Sequence, residues 1–152
     1  MDLSGLTEHL AAVEDDAALE LPIGGRTYRV RPPSAAVGAR CVALWASRTI
    51  EDPAERARAV EDALGGTLVH VLTLGADVVE QMTADGVPDV VVRECGTVAL
   101  VAWALGPAAA QRYVDRMGER RTEAGGASGE ARPASRRRRK SGTPTGSARK
   151  TP

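Results

Sequence analysis

The sequence is short of the residue types that most often carry chemistry. It contains no Phe, 3% aromatic residues, two Cys and two His in 152 residues. His9 and His70 each stand alone, which argues against a Ser-His-Asp or Cys-His arrangement. There is no CxxC or HxxxH spacing for a metal, and no Gly-rich phosphate loop followed by Lys and Ser or Thr. We therefore expect a protein that is not an enzyme, with no cofactor, metal or small-molecule substrate.

Long apolar runs are also missing. The longest strictly apolar stretch, Val98 to Leu105, is far shorter than the ~20 residues that a membrane helix needs. The N-terminal sequence MDLSGLTEHL has neither the basic region nor the apolar region of a signal peptide. Cys41 and Cys95 each lie in an apolar helical pattern, which favours two buried thiols over the alternative, a disulfide. These features predict a soluble intracellular protein that is not membrane-bound.

The net charge of zero hides a division of the chain. Residues 1–118 contain 17 acidic and 10 basic residues, a net charge of −7, whereas residues 119–152 contain 3 acidic and 10 basic residues, a net charge of +7. The second segment has no Leu, Ile, Val or aromatic residue, so it cannot bury enough apolar surface to offset its ordering entropy. We predict a folded acidic domain over 1–118 and a disordered basic tail over 119–152.

What is present begins with one clear β-hairpin pattern at about residues 18–31. Gly24-Gly25 can supply the positive φ angles of a type I′ turn. The predicted register pairs Leu19 with Val30, Glu20 with Arg29, Leu21 with Tyr28, Pro22 with Thr27 and Ile23 with Arg26. This register gives the hairpin one apolar face and leaves Pro22 where its missing N–H breaks no bond between the strands. Because a lone hairpin is marginal in water, its apolar face must lie on helices.

The rest of residues 1–118 shows helical patterns. We predict helices over 4–13, over about 15 residues after the cap Ser34, after the cap Asp52 as far as Gly65-Gly66, over 67–84 with a break near Gly75, over 88–105, and from Pro107 to a cap at Gly118. In the helix after Asp52 we expect Ala57, Val60 and Leu64 to face inward; Leu68 is among the apolar positions of the next segment. The predicted fold class is mainly α with an N-terminal β-hairpin.

Residues 89–93 leave a choice between helix and strand. The run Val90-Val91-Val92 is β-branched, which makes a strand possible. We favour a helix because the apolar segment is long for a strand and because Pro88 and Asp89 suit the first turn of a helix. It would then be the central buried helix, in which Gly96 could permit close approach by a neighbour.

The basic tail contains the one feature that could act without a folded site. Arg136, Arg137, Arg138, Arg139 and Lys140 are adjacent and could contact phosphate groups or an acidic partner. No aromatic residue lies between them to stack on bases, and the acidic body would repel nucleic acid. Nucleic-acid binding or a regulatory role through the tail is therefore the alternative function and not the preferred one.

Two blocks of the sequence resemble a known family. Residues 19–40 read LELPIGGRTYRVRPPSAAVGAR and residues 84–113 read ADGVPDVVVRECGTVALVAWALGPAAAQRY. In content, order and spacing they resemble the small tail assembly chaperones of siphophages that infect actinobacteria. The chain departs from that pattern over residues 114–152, where its tail is longer and more basic.

The resemblance implies a non-catalytic function in virion assembly. Proteins of that family bind the phage tape-measure protein while the tail tube polymerises, and many have a longer second form made by programmed frameshift. It implies for this chain a partner in the tape-measure protein, a second partner in any frameshifted form of itself, and residence in the host bacterial cytoplasm and not in the mature virion. The resemblance supplies no catalytic residues.

Overall fold

A computed structural model describes the backbone of residues 4–126 and the side chains of residues 5–120. The described elements are α1 (Ser4–Asp16), β1 (Leu19–Ile23), β2 (Arg26–Val30), α2 (Ala35–Ala46), a 3-10 turn (Ser47–Thr49), α3 (Pro53–Leu64), α4 (Val69–Leu74), α5 (Ala76–Ala84), α6 (Asp89–Leu105) and α7 (Pro107–Gly126). This confirms the mainly α fold with an N-terminal β-hairpin. Most of the basic tail that was predicted to be disordered, residues 127–152, lies outside the described residues.

The hairpin has the predicted register in all five pairs. Gly24 and Gly25 have φ angles of 58° and 83°, which the turn requires and which other residues rarely adopt. The apolar side chains of β2 are buried, with Tyr28 2% exposed and Val30 fully buried. The apolar residues of β1 are only half-buried. The hairpin therefore covers the helical body with β2 and leaves β1 at its margin.

Two oppositely charged residues face each other across the hairpin without forming an ion pair. Glu20 and Arg29 are partners in register, but the Arg29 guanidinium donates to Asp15 at the end of α1, 2.7 Å from its Oδ1 and 3.3 Å from its carbonyl oxygen. The cause is that α1 does not end at Val13 but runs on through Glu14-Asp15-Asp16, which brings the Asp15 side chain to β2. Glu20 consequently has no ion-pair partner within the described residues.

The starts of α2 and α3 follow the predicted caps. The Ser34 hydroxyl accepts from the Val37 amide at 3.4 Å, and the Asp52 carboxylate accepts from the amides of Ala54 and Glu55 at 2.9 and 2.8 Å. The end of α3 is capped by a side chain from another helix: Arg40 of α2 donates to the carbonyl oxygens of Ala63 and Leu64. These carbonyls are among those that a helix end leaves without partners, so a side chain of α2 stabilises the end of α3.

Helix α6 is the centre of the molecule, and its start at Asp89 decides the ambiguous segment in favour of helix. It packs against α2, α4, α5 and α7. Its buried residues are Val92, Gly96, Ala99, Leu100, Val101 and Ala102. One core cluster joins it to the hairpin, α4 and α5, a second to α2 and α3, and a third to α7.

Three expectations about helix faces and ends are wrong. Ala57 is exposed, because α3 meets the body only along its second half, where Ala63 is buried instead. Leu68 is also exposed, since it lies just before α4 and not on a packed face. The last helix does not end at Gly118 but passes through it to Gly126. Gly118 has no positive φ angle, and Glu and Arg residues that favour helix follow it.

Candidate functional site

The sequence-predicted contact residues lie beyond the described structure. Arg136, Arg137, Arg138, Arg139 and Lys140 are outside residues 4–126, so their contact with phosphate or an acidic partner stays a prediction. Within residues 4–126 no three His, Cys, Asp or Glu side chains cluster as metal ligands would. Over the same range, no helix combines the length and the apolar character needed to cross a bilayer.

Three polar side chains do come together between the hairpin and the turn after α5. The Tyr28 hydroxyl donates to Asp85 Oδ2 at 2.9 Å, and Arg26 forms an ion pair with the same carboxylate. Hydrogen bonds from Arg26 and then Tyr28 hold the pKa of Asp85 below its ordinary value. Burial, and then the bond to Asp85, raise the pKa of Tyr28. A tyrosine held protonated beside a carboxylate held ionised makes a clamp for the hairpin and offers no activated nucleophile.

A second feature is an open groove between β1, α6 and α7. It consists of two neighbouring cavities of about 600 and 440 Å³, which share Cys95 of α6 and Val114 of α7 in their walls and make a depression of two adjoining parts. β1 supplies one wall with Leu19 to Ile23. The remaining apolar wall residues are Val90, Val91, Val98, Pro107, Ala110 and Met117. We refer to this depression as the β1–α7 groove.

Apolar side chains reach solvent in this groove. Val114 is 42% exposed and Val90 is 68% exposed. Cys95 is half-buried with a free thiol, and burial raises its pKa. Cys41, also free, is fully buried between α2 and its neighbours. The prediction of two buried thiols therefore holds for Cys41, whereas Cys95 is only half-buried.

The polar groups of the groove are few and mainly acidic. Glu20 on β1 and Glu94 on α6 both line it, and both are exposed. Neither carboxylate forms an ion pair with any side chain of residues 5–120. The groove is therefore an apolar trough with an exposed carboxylate on each of two walls.

Sequence reasoning did not find the groove. The signal for it was the run Val90-Val91-Val92, because three consecutive residues of a helix point in three directions and cannot all face one core. Val92 is buried, Val91 is half-buried and Val90 faces outward into the groove. A second exposed apolar stripe, Leu6, Leu10 and Val13, lies on α1 at the spacing predicted for that helix.

The fold and the groove together define a small mainly α-helical domain with an N-terminal hairpin and an apolar surface depression. The chain belongs to the family described as domain of unknown function DUF7426, whose model matches residues 5–151. No curated protein matches the chain, and no solved structure matches it.

Proposed function

We propose that this protein is a non-catalytic tail assembly chaperone of a siphophage that binds the tape-measure protein during tail tube assembly. The observation that carries the proposal is the β1–α7 groove, where Val90 and Val114 are open to solvent among other apolar wall residues. Exposed apolar surface rimmed by polar groups is characteristic of a site for another protein. The resemblance of residues 19–40 and 84–113 to such chaperones supports the identity of the partner.

The mechanism requires only reversible binding. A tape-measure protein has long helical segments, whose apolar stripes would associate with one another before the tube encloses them. Occupation of an apolar groove removes such a stripe from water at about 25 cal/mol per Å² of buried surface. Binding without covalent chemistry lets the growing tube displace the chaperone. On this proposal the protein acts in the host bacterial cytoplasm, is not retained in the mature virion, and has any frameshifted longer form of itself as a second partner.

Co-expression of this chain with the tape-measure protein of the same phage tests the proposal. We expect the tape-measure protein to become more soluble and to co-purify with this chain, because its apolar stripes would be covered. The matched control is expression of the tape-measure protein at the same level with an unrelated small acidic protein. If solubility does not change and nothing co-purifies, the proposed function is wrong.

The alternative, nucleic-acid or regulatory binding through the tail, rests on the basic run Arg136 to Lys140. A DNA-binding titration at increasing salt separates it from the chaperone function, since binding to phosphates weakens steeply as salt rises. The control is a chain in which residues 136–140 are all Gln. Tail-dependent binding in the micromolar range or tighter at physiological salt would favour the alternative, and its absence would remove it.

A further inference from the structure

We propose that the β1–α7 groove binds an amphipathic α-helix whose apolar stripe is flanked by Lys or Arg. The inference names the surface and the chemistry of the bound segment; it rests on the proposed function only for the identity of the partner as the tape-measure protein. Its support comes from the shape of the groove, the edge of β1 and the two unpaired carboxylates.

The shape and lining suit one face of a helix. The groove runs along β1 and between α6 and α7, with Val98 and Val114 among the apolar side chains on its walls. A helix that lies in such a trough inserts residues at i, i+3, i+4 and i+7, which lie on one face. The free and half-buried thiol of Cys95 lines both cavities, so it lies where such a helix would pass.

The edge of β1 argues against an added strand. In a hairpin with a two-residue turn, the residues beside the turn form a hydrogen-bonded pair and bonded pairs then alternate with non-bonded pairs. Glu20 and Pro22 therefore direct their backbone groups to the outer edge, away from β2. Pro22 has no N–H, so an incoming strand would find one donor missing in a five-residue strand. A helix needs no donors from the edge.

The carboxylates on the groove walls favour basic residues beside the apolar stripe of the bound helix. Glu20 and Glu94 lie on two different walls, are exposed, and have no ion-pair partner within residues 5–120. A helix with Lys or Arg beside its apolar stripe would meet both carboxylates, whereas an acidic helix would be repelled.

Charge also distinguishes this occupant from α1 of a second copy. That helix has an exposed stripe of Leu6, Leu10 and Val13, but Glu8 and Glu14-Asp15-Asp16 accompany it. Ser4–Asp16 contains no Lys or Arg and a single His, His9, so the acidic flanks of α1 have the same sign of charge as the groove walls. We therefore assign the groove to a partner and not to self-association.

Two synthetic peptides test the proposal with the full chain. Both are about 18 residues long, or five helical turns, and share one Leu stripe, but one has Lys and the other Glu beside the stripe. Fluorescence anisotropy measures their binding at low and physiological salt. We expect the Lys peptide to bind roughly tenfold more tightly than the Glu peptide at low salt, with the ratio falling as salt rises.

Matched variants place the binding in the groove. Val114→Glu puts a charge on its wall and should weaken binding of the Lys peptide by roughly tenfold or more, since it introduces a charge that must lose water against the apolar stripe. Val42→Glu is the control, because Val42 lies on α2 outside the groove and is 50% exposed, against 42% for Val114. The double variant Glu20→Lys with Glu94→Lys should reverse the preference in favour of the Glu peptide. Circular dichroism verifies that each variant is folded.

The alkylation rate of Cys95 reports where the peptide binds. Cys41 is fully buried, so the faster-alkylating thiol of the folded chain should be Cys95. The Lys peptide should protect it from alkylation, and the Glu peptide should protect it less.

Several results would overturn the proposal. These are absence of binding by the Lys peptide, equal binding of the two peptides, equal effects of Val114→Glu and Val42→Glu, or a dimer in sedimentation that Val114→Glu dissociates. The last result would make the groove a self-interface. The proposed function fails separately: groove-dependent peptide binding without co-purification of the tape-measure protein would contradict the chaperone function and leave this inference standing.

Discussion

The two faces of α6 differ although both are apolar. Toward α4 the contact is so close that a Cβ atom on Gly96 would lie 2.6 Å from both Cα and Cβ of His70. Toward β1 and α7, one residue earlier along the chain, Cys95 lines an open groove. The central helix thus has a closed face against α4 and, along its first part, an open face at the groove, although its second part packs on α7 through Val101 and Ala102.

The closed face also has its own hydrogen bonds. The buried Thr73 hydroxyl of α4 lies 3.0 Å from the Gly96 carbonyl oxygen and 2.9 Å from the Val69 carbonyl oxygen of its own helix, so these two acceptors share its one proton. The Trp103 indole donates to the Thr73 carbonyl oxygen at 2.9 Å. In contrast, the open face has unpaired carboxylates at Glu20 and Glu94 among the described side chains. The polar groups of the closed face are thus bonded within the protein, whereas the two carboxylates beside the groove are exposed to water.

The largest effect is expected when the closed face is forced apart by Gly96→Ala. Ala favours helix over Gly by about 1 kcal/mol, so intrinsic propensity alone predicts stabilisation. The new methyl group would instead overlap the backbone of His70, and overpacking typically costs about 1–3 kcal/mol and occasionally more. We expect a net loss of stability, measured as a lower midpoint of urea unfolding.

The neighbouring position supplies the control for that experiment. Cys95→Met enlarges the side chain on the open face, where the groove can accommodate it, so the free energy of unfolding should change by less than about 1 kcal/mol. If Gly96→Ala raises the midpoint, or if Cys95→Met lowers it as much, the difference between the two faces of α6 is not real.

A smaller effect is expected when Thr73→Val removes the hydrogen bond across the closed face. The shapes are alike, so the loss should be near the typical value of a buried hydrogen bond, about 1 kcal/mol. Thr83→Val is the matched control, since that exposed hydroxyl donates only to Val79 in its own helix, and its effect should stay within about 0.5 kcal/mol. Thermal unfolding of the two variants measures the comparison, and equal losses would contradict it.

The smallest effect is expected at the clamp in which Arg26 and Tyr28 of β2 bind Asp85 and fasten the hairpin. Asp85 has a folded-state pKa below its unfolded value of about 3.9, so its contribution is complete above that pH and is lost as pH falls through the folded pKa. Asp85→Asn should therefore destabilise the protein at pH 7, and the gap to the parent chain should narrow below about pH 4. Urea unfolding at a series of pH values measures this gap.

A second carboxylate tests whether that pH dependence belongs to the clamp. Asp89 forms an exposed i,i+4 pair with Arg93, at 2.8 Å, on the surface of α6. Exposed pairs contribute little, so Asp89→Asn should give a much smaller gap at pH 7 than Asp85→Asn. A gap for Asp85→Asn that did not change with pH would show that the ion pair with Arg26 and the bond from Tyr28 are not its source.

The parts of the fold that sequence reasoning predicted are those fixed by local chemistry. Gly24-Gly25 determines the turn, alternation determines the register, and Ser34 and Asp52 determine two helix starts. Gly96 could be recognised as a point of close approach because a glycine in a long apolar helix otherwise costs stability. In each case neighbouring residues contain the information.

The parts that it missed depend on how elements meet in space. Arg29 bonds Asp15 and not Glu20 because α1 ends three residues later than expected, and Gly118 fails to end α7 because it keeps a helical conformation. The groove could not be predicted for the same reason, because the distance between α7 and β1 determines whether another element covers Val114. Periodicity shows that a face is apolar but not that another element covers it.

The bonds from Arg40 to the end of α3 have a consequence for how the domain opens. The first half of α3 is exposed, so this helix is fastened mainly at Val60, Ala63 and Leu64, next to the carbonyl oxygens that Arg40 occupies. Any fluctuation that detaches α2 would release those carbonyls as well. We therefore expect the two helices to open as one cooperative unit of partial unfolding, with a common level of protection of their amide protons against exchange with solvent.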